Sequence, residues 1–197
     1  MKLLQIRTGL IAAGLMLAMA ATRFNHFGSA FSLPDASWAV FFLGGLYLAR
    51  NVRASTAIFI ALLLQAGLTD YYLTNAQGIS DWCMTPAYWF LIPTYGGLWF
   101  AGRLFALRNT LEGTGLIRLI LWAWAASSFA FAFSNATFYL ASGRFAEMAA
   151  TEYAARVSEY YVSYVSVSML YIACASGIQM LLTNRVSGRV HTKTFAG

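Results

Sequence analysis

The sequence predicts an all-α, polytopic membrane protein, on three observations. Hydrophobic residues make up 59% of the 197 and charged residues only 10%, whereas soluble domains carry about 25% charged residues. The apolar residues gather into six runs. The charges fall singly or in small groups between those runs. Backbone inside lipid must satisfy its own hydrogen bonds, so runs of this kind read as helices. A bilayer core of about 30 Å needs about 20 apolar residues. Residues 1–197 read as one transmembrane domain of six helices, with no internal repeat or low-complexity linker.

The first run, Leu4–Thr22, is rich in small residues: Gly9, Ala12, Ala13, Gly14, Ala18, Ala20 and Ala21. Gly9 with Ala13 and Gly14 with Ala18 are small-x-x-x-small pairs, which let helices approach closely. They suit internal packing, or a docking face for another membrane subunit. This end also imitates a signal peptide, with Lys2 and Arg7, an apolar stretch and Ala18-Met-Ala20. Cleavage there would leave five helices; the run is kept here as a helix. The second run, Ser37–Ala49, is short, and Pro34 and Asp35 make a good start for it. Its approach, Arg23 to Phe31, is expected to fold inward against protein or a wet cavity. The remaining runs are Ala54–Leu73, Ala87–Leu107, Gly115–Ala141 and Ser158–Leu182.

Orientation follows from Lys and Arg. A cytoplasmic N-terminus puts ten of the thirteen basic residues inside and three, Arg23, Arg144 and Arg156, outside. The positive-inside rule therefore predicts an inner-membrane protein with both termini cytoplasmic. The acids Asp35, Asp70, Asp81, Glu147, Glu152 and Glu159 then lie outside and Glu112 inside. The net charge of +6 is dispersed along the chain, which excludes a nucleic-acid surface.

Two cysteines stand far apart. Cys83 lies in the outer loop Asn75 to Pro86, and Cys174 lies well inside the last run. About sixteen helical residues from Ser158 carry Cys174 roughly 24 Å down, so a bridge to Cys83 is not expected. There is no C-x-x-C, Walker loop, nucleotide fingerprint or Ser-His-Asp order. The two histidines, His26 and His191, fall on opposite faces, which disfavours bis-histidine haem and a zinc hydrolase.

The outer half gathers an unusual set. Asp70, Tyr71 and Tyr72 end the third run; Asp81, Trp82, Cys83, Tyr88 and Tyr95 surround the start of the fourth. Tyr153, Arg156, Glu159, Tyr160, Tyr161 and Tyr164 open the sixth, and His26 lies in the first outer loop. These read in two ways. One is a small-molecule pocket with aromatic walls and polar anchors. The other is the aromatic belt of any membrane protein. Likewise Cys83 is an inert interfacial thiol or a soft metal ligand. Asp70 and Arg156 are interfacial charges or ligand contacts, and His26 is a solvated loop residue or a ligand contact.

The stretch Phe31-Ser-Leu-Pro-Asp-Ala-Ser-Trp-Ala-Val-Phe-Phe-Leu-Gly44, with Asp81-Trp-Cys-Met-Thr-Pro-Ala-Tyr88, resembles the BtuM group of predicted cobalamin transporters. These are similar to the substrate-binding subunits, or S-components, of energy-coupling-factor vitamin transporters. The resemblance spans nearly the whole chain, and the Cys-containing loop is its most specific motif. It implies a six-span S-component-like bundle with cobalamin as substrate. It implies Cys83 as axial cobalt ligand, with loss of bound cyanide promoted by that thiol. It also implies Asp70, Tyr88, Arg156 and, more weakly, His26 as binding residues, and an energy-coupling module docked on the first helix. The small-residue pattern of that helix mixes Gly with Ala, departing from the usual docking motif. Two other readings stay open: a membrane thiol enzyme acting through Cys83, and an S-component for another vitamin.

Overall fold

The computed structural model describes residues 2–23, 33–76, 82, 84–110 and 114–194, with side chains described between 5 and 180. Among the described residues the chain is all-helical, with six α-helices. They are α1 (Lys2–Arg23), α2 (Ser37–Tyr47), α3 (Val52–Ala76), α4 (Leu91–Arg108), α5 (Gly115–Ala141) and α6 (Ala150–Thr194). A 3-10 turn, Pro86–Phe90, leads into α4.

Four of these helices are long and apolar enough to cross a membrane: α1, α3, α5 and the Ala150–Met180 part of α6. Their windows are at most 28% buried. Their outward faces carry large apolar side chains, such as Leu10, Leu68, Leu121 and Leu170, as helices bathed in lipid do. α2 has only 11 residues, about 16 Å of helix. α4, with 18 residues and Arg103 and Arg108 within it, stands outside that set of four.

α2 is the centre of the bundle. Ala39 to Leu46 are buried without a break, because α1, α3, α4 and α6 all pack against it. A helix apolar all round needs such surroundings. Its tightest neighbour is α4. A Cβ added at Gly45 would overlap the Trp99 carbonyl, and one at Gly102 would overlap the Phe42 carbonyl. Backbone meets backbone there, and only glycine leaves the space. Phe41 then stacks on Tyr95 at 4.2 Å between centroids, and Trp99 Nε1 donates to Ser55 Oγ at 3.1 Å.

Helix bounds differ from the sequence expectation where local chemistry intervenes. The expected start of the fourth helix at Ala87 is a 3-10 turn, and α4 proper begins at Leu91. Pro86 opens that turn and Pro93 sits in the first turn of α4, where its missing N–H is tolerated. α6 opens at Ala150 rather than Ser158. Glu152 lies in its first turn, where an acid is favourable, and pairs with Arg156 at i,i+4, a spacing that supports the helix. The α5–α6 connection turns through Gly143, at φ +72°, a left-handed conformation that glycine adopts freely. The inward fold expected for residues 24–31 lies outside the described residues.

Candidate functional site

At one end of the bundle α1 ends, α2 begins, α3 ends and the turn before α4 arrives. A buried polar cluster joins all four. Arg23, the last residue of α1, is 2% exposed. Its Nε donates to Asp70 Oδ1 at 2.9 Å and one terminal nitrogen donates to Asp70 Oδ2 at 2.6 Å. The other terminal nitrogen donates to Ser37 Oγ at 2.7 Å and to Tyr95 Oη at 3.0 Å. It also lies 3.6 Å from Asp35 Oδ2. A planar guanidinium with five N–H donors is the side chain that can hold so many partners at once.

The carboxylates do local work as well. Asp35 Oδ1 accepts the Ser37 amide at 2.8 Å and the Ser37 hydroxyl at 2.6 Å, holding the start of α2. Asp70, 8% exposed, also accepts the Tyr88 hydroxyl at 2.7 Å. Tyr88 lies in the 3-10 turn, outside the long spanning helices. Burial first, and the Asp70 carboxylate second, push its phenol above the ordinary range, so it stays a neutral donor. Around the cluster, Ala36 N donates to Thr22 Oγ1 at 3.1 Å, and Tyr171 of α6 donates to the Pro34 carbonyl at 2.9 Å. Every helix except α5 thus contributes to the cluster or its frame.

The α5–α6 connection carries a second, aromatic group: Phe145 packs against Phe138, Tyr139 and Tyr153. Trp82, the residue before Cys83 in the chain, meets Phe145 edge-on at 6.4 Å. The Arg144 guanidinium sits over the Trp82 ring at 4.3 Å. A surface pocket of about 380 Å³ lies in this connection, lined by Arg144, Phe145, Glu147, Met148 and Glu152 among others.

The residues singled out from the sequence fall into three groups. Asp70 and Tyr88 are bonded directly to each other. Arg156 stands on an exposed face of α6, with its Nη2 2.7 Å from Glu152 Oε1. His26, Asp81 and Cys83 lie outside the described residues. Cys174 is a free, exposed thiol on α6. From the sequence Arg23 is an outer-side charge, Asp35 helps to start the second helix, and Ser37 is only the first residue of that run. The structure makes Arg23 the hub. The signal available was charge placement: Arg23, Asp35 and Asp70 all fall at ends of apolar runs on one side. Among the described residues no three His, Cys, Asp or Glu lie close enough to hold a metal ion. Comparison with protein-family models and with curated proteins finds no match for this chain.

Proposed function

We propose that this chain is a six-span, S-component-like membrane subunit that binds cobalamin from the outer face, with Cys83 as the axial ligand of its cobalt. The observation that carries the reading is the Asp70–Tyr88 pair, held by Arg23 at one end of an apolar bundle. The same turn follows directly on the Trp82-Cys83 segment of the chain. Cobalamin is broad, with a flat ring and a rim of amides. It suits a site with aromatic surfaces, polar anchors and one soft ligand.

On this reading the bundle end bearing Arg23, Asp70 and Tyr88 faces outward, and both termini are cytoplasmic. The ten-to-three division of basic residues supports that orientation. The corrin ring supplies the four equatorial nitrogens, so the protein needs to offer a single axial donor. Cys83 loses its proton to solvent as its sulfur takes the axial position, and metal binding itself favours that loss. Where cyanide held the position, it leaves with its own electron pair and no electrons change hands. Arg156 and His26 are further contacts on the ligand rim. The outward face of α1, where a Cβ added at Gly9 or Gly14 would meet nothing within 4 Å, suits docking of an energy-coupling module.

The test is the absorbance spectrum of the full chain purified from cells grown with cobalamin. A corrin band that co-purifies in near-stoichiometric amount is expected. Protein that stays colourless after incubation with excess cobalamin would overturn the reading.

A further inference from the structure

We propose that Arg23 is a positioning residue that fixes Tyr88 as a hydrogen-bond acceptor, so that the site favours a ligand presenting N–H donors, as carboxamides do. This rests on the cobalamin reading and adds the polarity of one contact to it.

A phenol carries one proton and two acceptor positions. The Tyr88 proton is committed to Asp70 Oδ2 at 2.7 Å. That direction cannot reverse while Asp70 is ionised, because a carboxylate only accepts. Asp70 in turn is gripped through both oxygens by the Arg23 fork, and a guanidinium does not give up its charge in proteins. Both partners are buried. Tyr88 is only half-buried. What its oxygen has left to offer is acceptor capacity. Tyr95, the other phenol at Arg23, is 4% exposed and accepts from the guanidinium, so it reads nothing outside.

A carboxamide N–H directed at Tyr88 completes this chain of donors and acceptors. A carboxylate at the same place sets acceptor against acceptor, and a site built around one hydrogen bond rejects the analogue that lacks it. Removal of Arg23 takes away the two N–H donors that grip Asp70. The fork that orients both carboxylate oxygens is then gone, and the Tyr88 hydroxyl is released from its fixed direction.

The experiment uses the purified full chain, intact cobalamin, and a set of corrinoids each with one side-chain carboxamide hydrolysed to a carboxylate. The readout is the ratio of affinities, acid derivative against intact cobalamin. That ratio is measured on protein that binds and does not depend on how much of a preparation is folded. In the wild type at least one derivative is expected to bind roughly tenfold more weakly, the scale of one hydrogen bond. Tyr88→Phe, which keeps the ring, is expected to bring that ratio within about twofold of unity. Arg23→Gln is expected to do the same, while Arg23→Lys, which keeps a cation beside Asp70, retains most of the discrimination. If Arg23→Gln does not fold, Tyr88→Phe decides. A ratio unchanged in Tyr88→Phe for every derivative overturns the proposal; rejection by the charge of Asp70 alone would give that result. A wild type that treats all derivatives alike overturns it too. A ratio lost in Tyr88→Phe but kept in Arg23→Gln removes Arg23 from the account. A wild type that binds no corrinoid overturns the cobalamin reading itself, a separate result.

Discussion

Arg23 and Asp70 form a two-pronged ion pair, at 2.9 and 2.6 Å, that ties the last residue of α1 to the closing turns of α3. The two residues are 47 positions apart in sequence. The pair also settles which way the Tyr88 hydroxyl points, so one contact is both a bolt between helices and part of the candidate site.

Removing Asp70 takes the two-pronged partner from a buried guanidinium and leaves it the Asp35 carboxylate at 3.6 Å. Asp70→Ala is expected to cost about 3–5 kcal/mol, the range for removing one partner of a buried ion pair. Arg23→Met with Asp70→Leu removes both charges and should recover much of the loss. Thermal or denaturant unfolding in detergent measures both. A single substitution costing under about 1 kcal/mol, as exposed pairs do, would contradict a buried role.

The α2–α4 contact makes a contrast between glycines. Gly102→Leu meets the Phe42 carbonyl and is expected to destabilise at or beyond the upper end of overpacking, about 3 kcal/mol. Gly9→Ala meets nothing within 4 Å and should change stability by about 0.5 kcal/mol or less. Equal effects on unfolding would mean that the two backbones do not touch.

Much of this architecture was legible in the sequence. The α5 bounds, Gly115–Ala141, are those expected from the apolar run, because a long run with no proline leaves one solution. The start of α4 was not legible, since a run that is apolar throughout does not distinguish a 3-10 turn from α-helix. The candidate site was half legible. Asp70 and Tyr88 stood out as polar groups near helix ends, and the structure bonds them together. Arg23 did not, because a cation after an apolar run looks the same whether it snorkels to water or turns inward. What separates the two is an acid on another helix at the same depth, and that pairing belongs to the tertiary fold. Arg156 shows the opposite outcome: its partner Glu152 is local, and both stay on the surface.

The raised Tyr88 phenol has a pH consequence. Below about pH 10 both folded and unfolded chains keep the proton, and Tyr88 adds no pH dependence. Above that the unfolded chain ionises while burial and Asp70 hold the folded phenol neutral, so stability falls as pH rises. Wild type should therefore lose stability more steeply than Tyr88→Phe between about pH 10 and 11.5. Parallel unfolding curves over that interval would place Tyr88 in water.

Orientation is checked by chemistry at the two thiols. In a Cys174→Ala background, a membrane-impermeant maleimide added to intact spheroplasts without cobalamin is expected to label Cys83. Labelling that appears only after lysis would invert the orientation drawn from the basic residues.

The most direct measurement of the central claim is the visible spectrum and cyanide-release rate of bound cyanocobalamin, wild type against Cys83→Ala. A cobalt–thiolate bond gives charge-transfer absorption that no oxygen or nitrogen ligand reproduces, and sulfur is a soft partner suited to cobalt. The account expects wild type to show that band and to release cyanide faster than free cyanocobalamin does. Cys83→Ala should lose both, while still binding through the Asp70–Tyr88 end of the bundle. An identical spectrum and an identical cyanide-release rate in the two proteins would contradict Cys83 as the cobalt ligand.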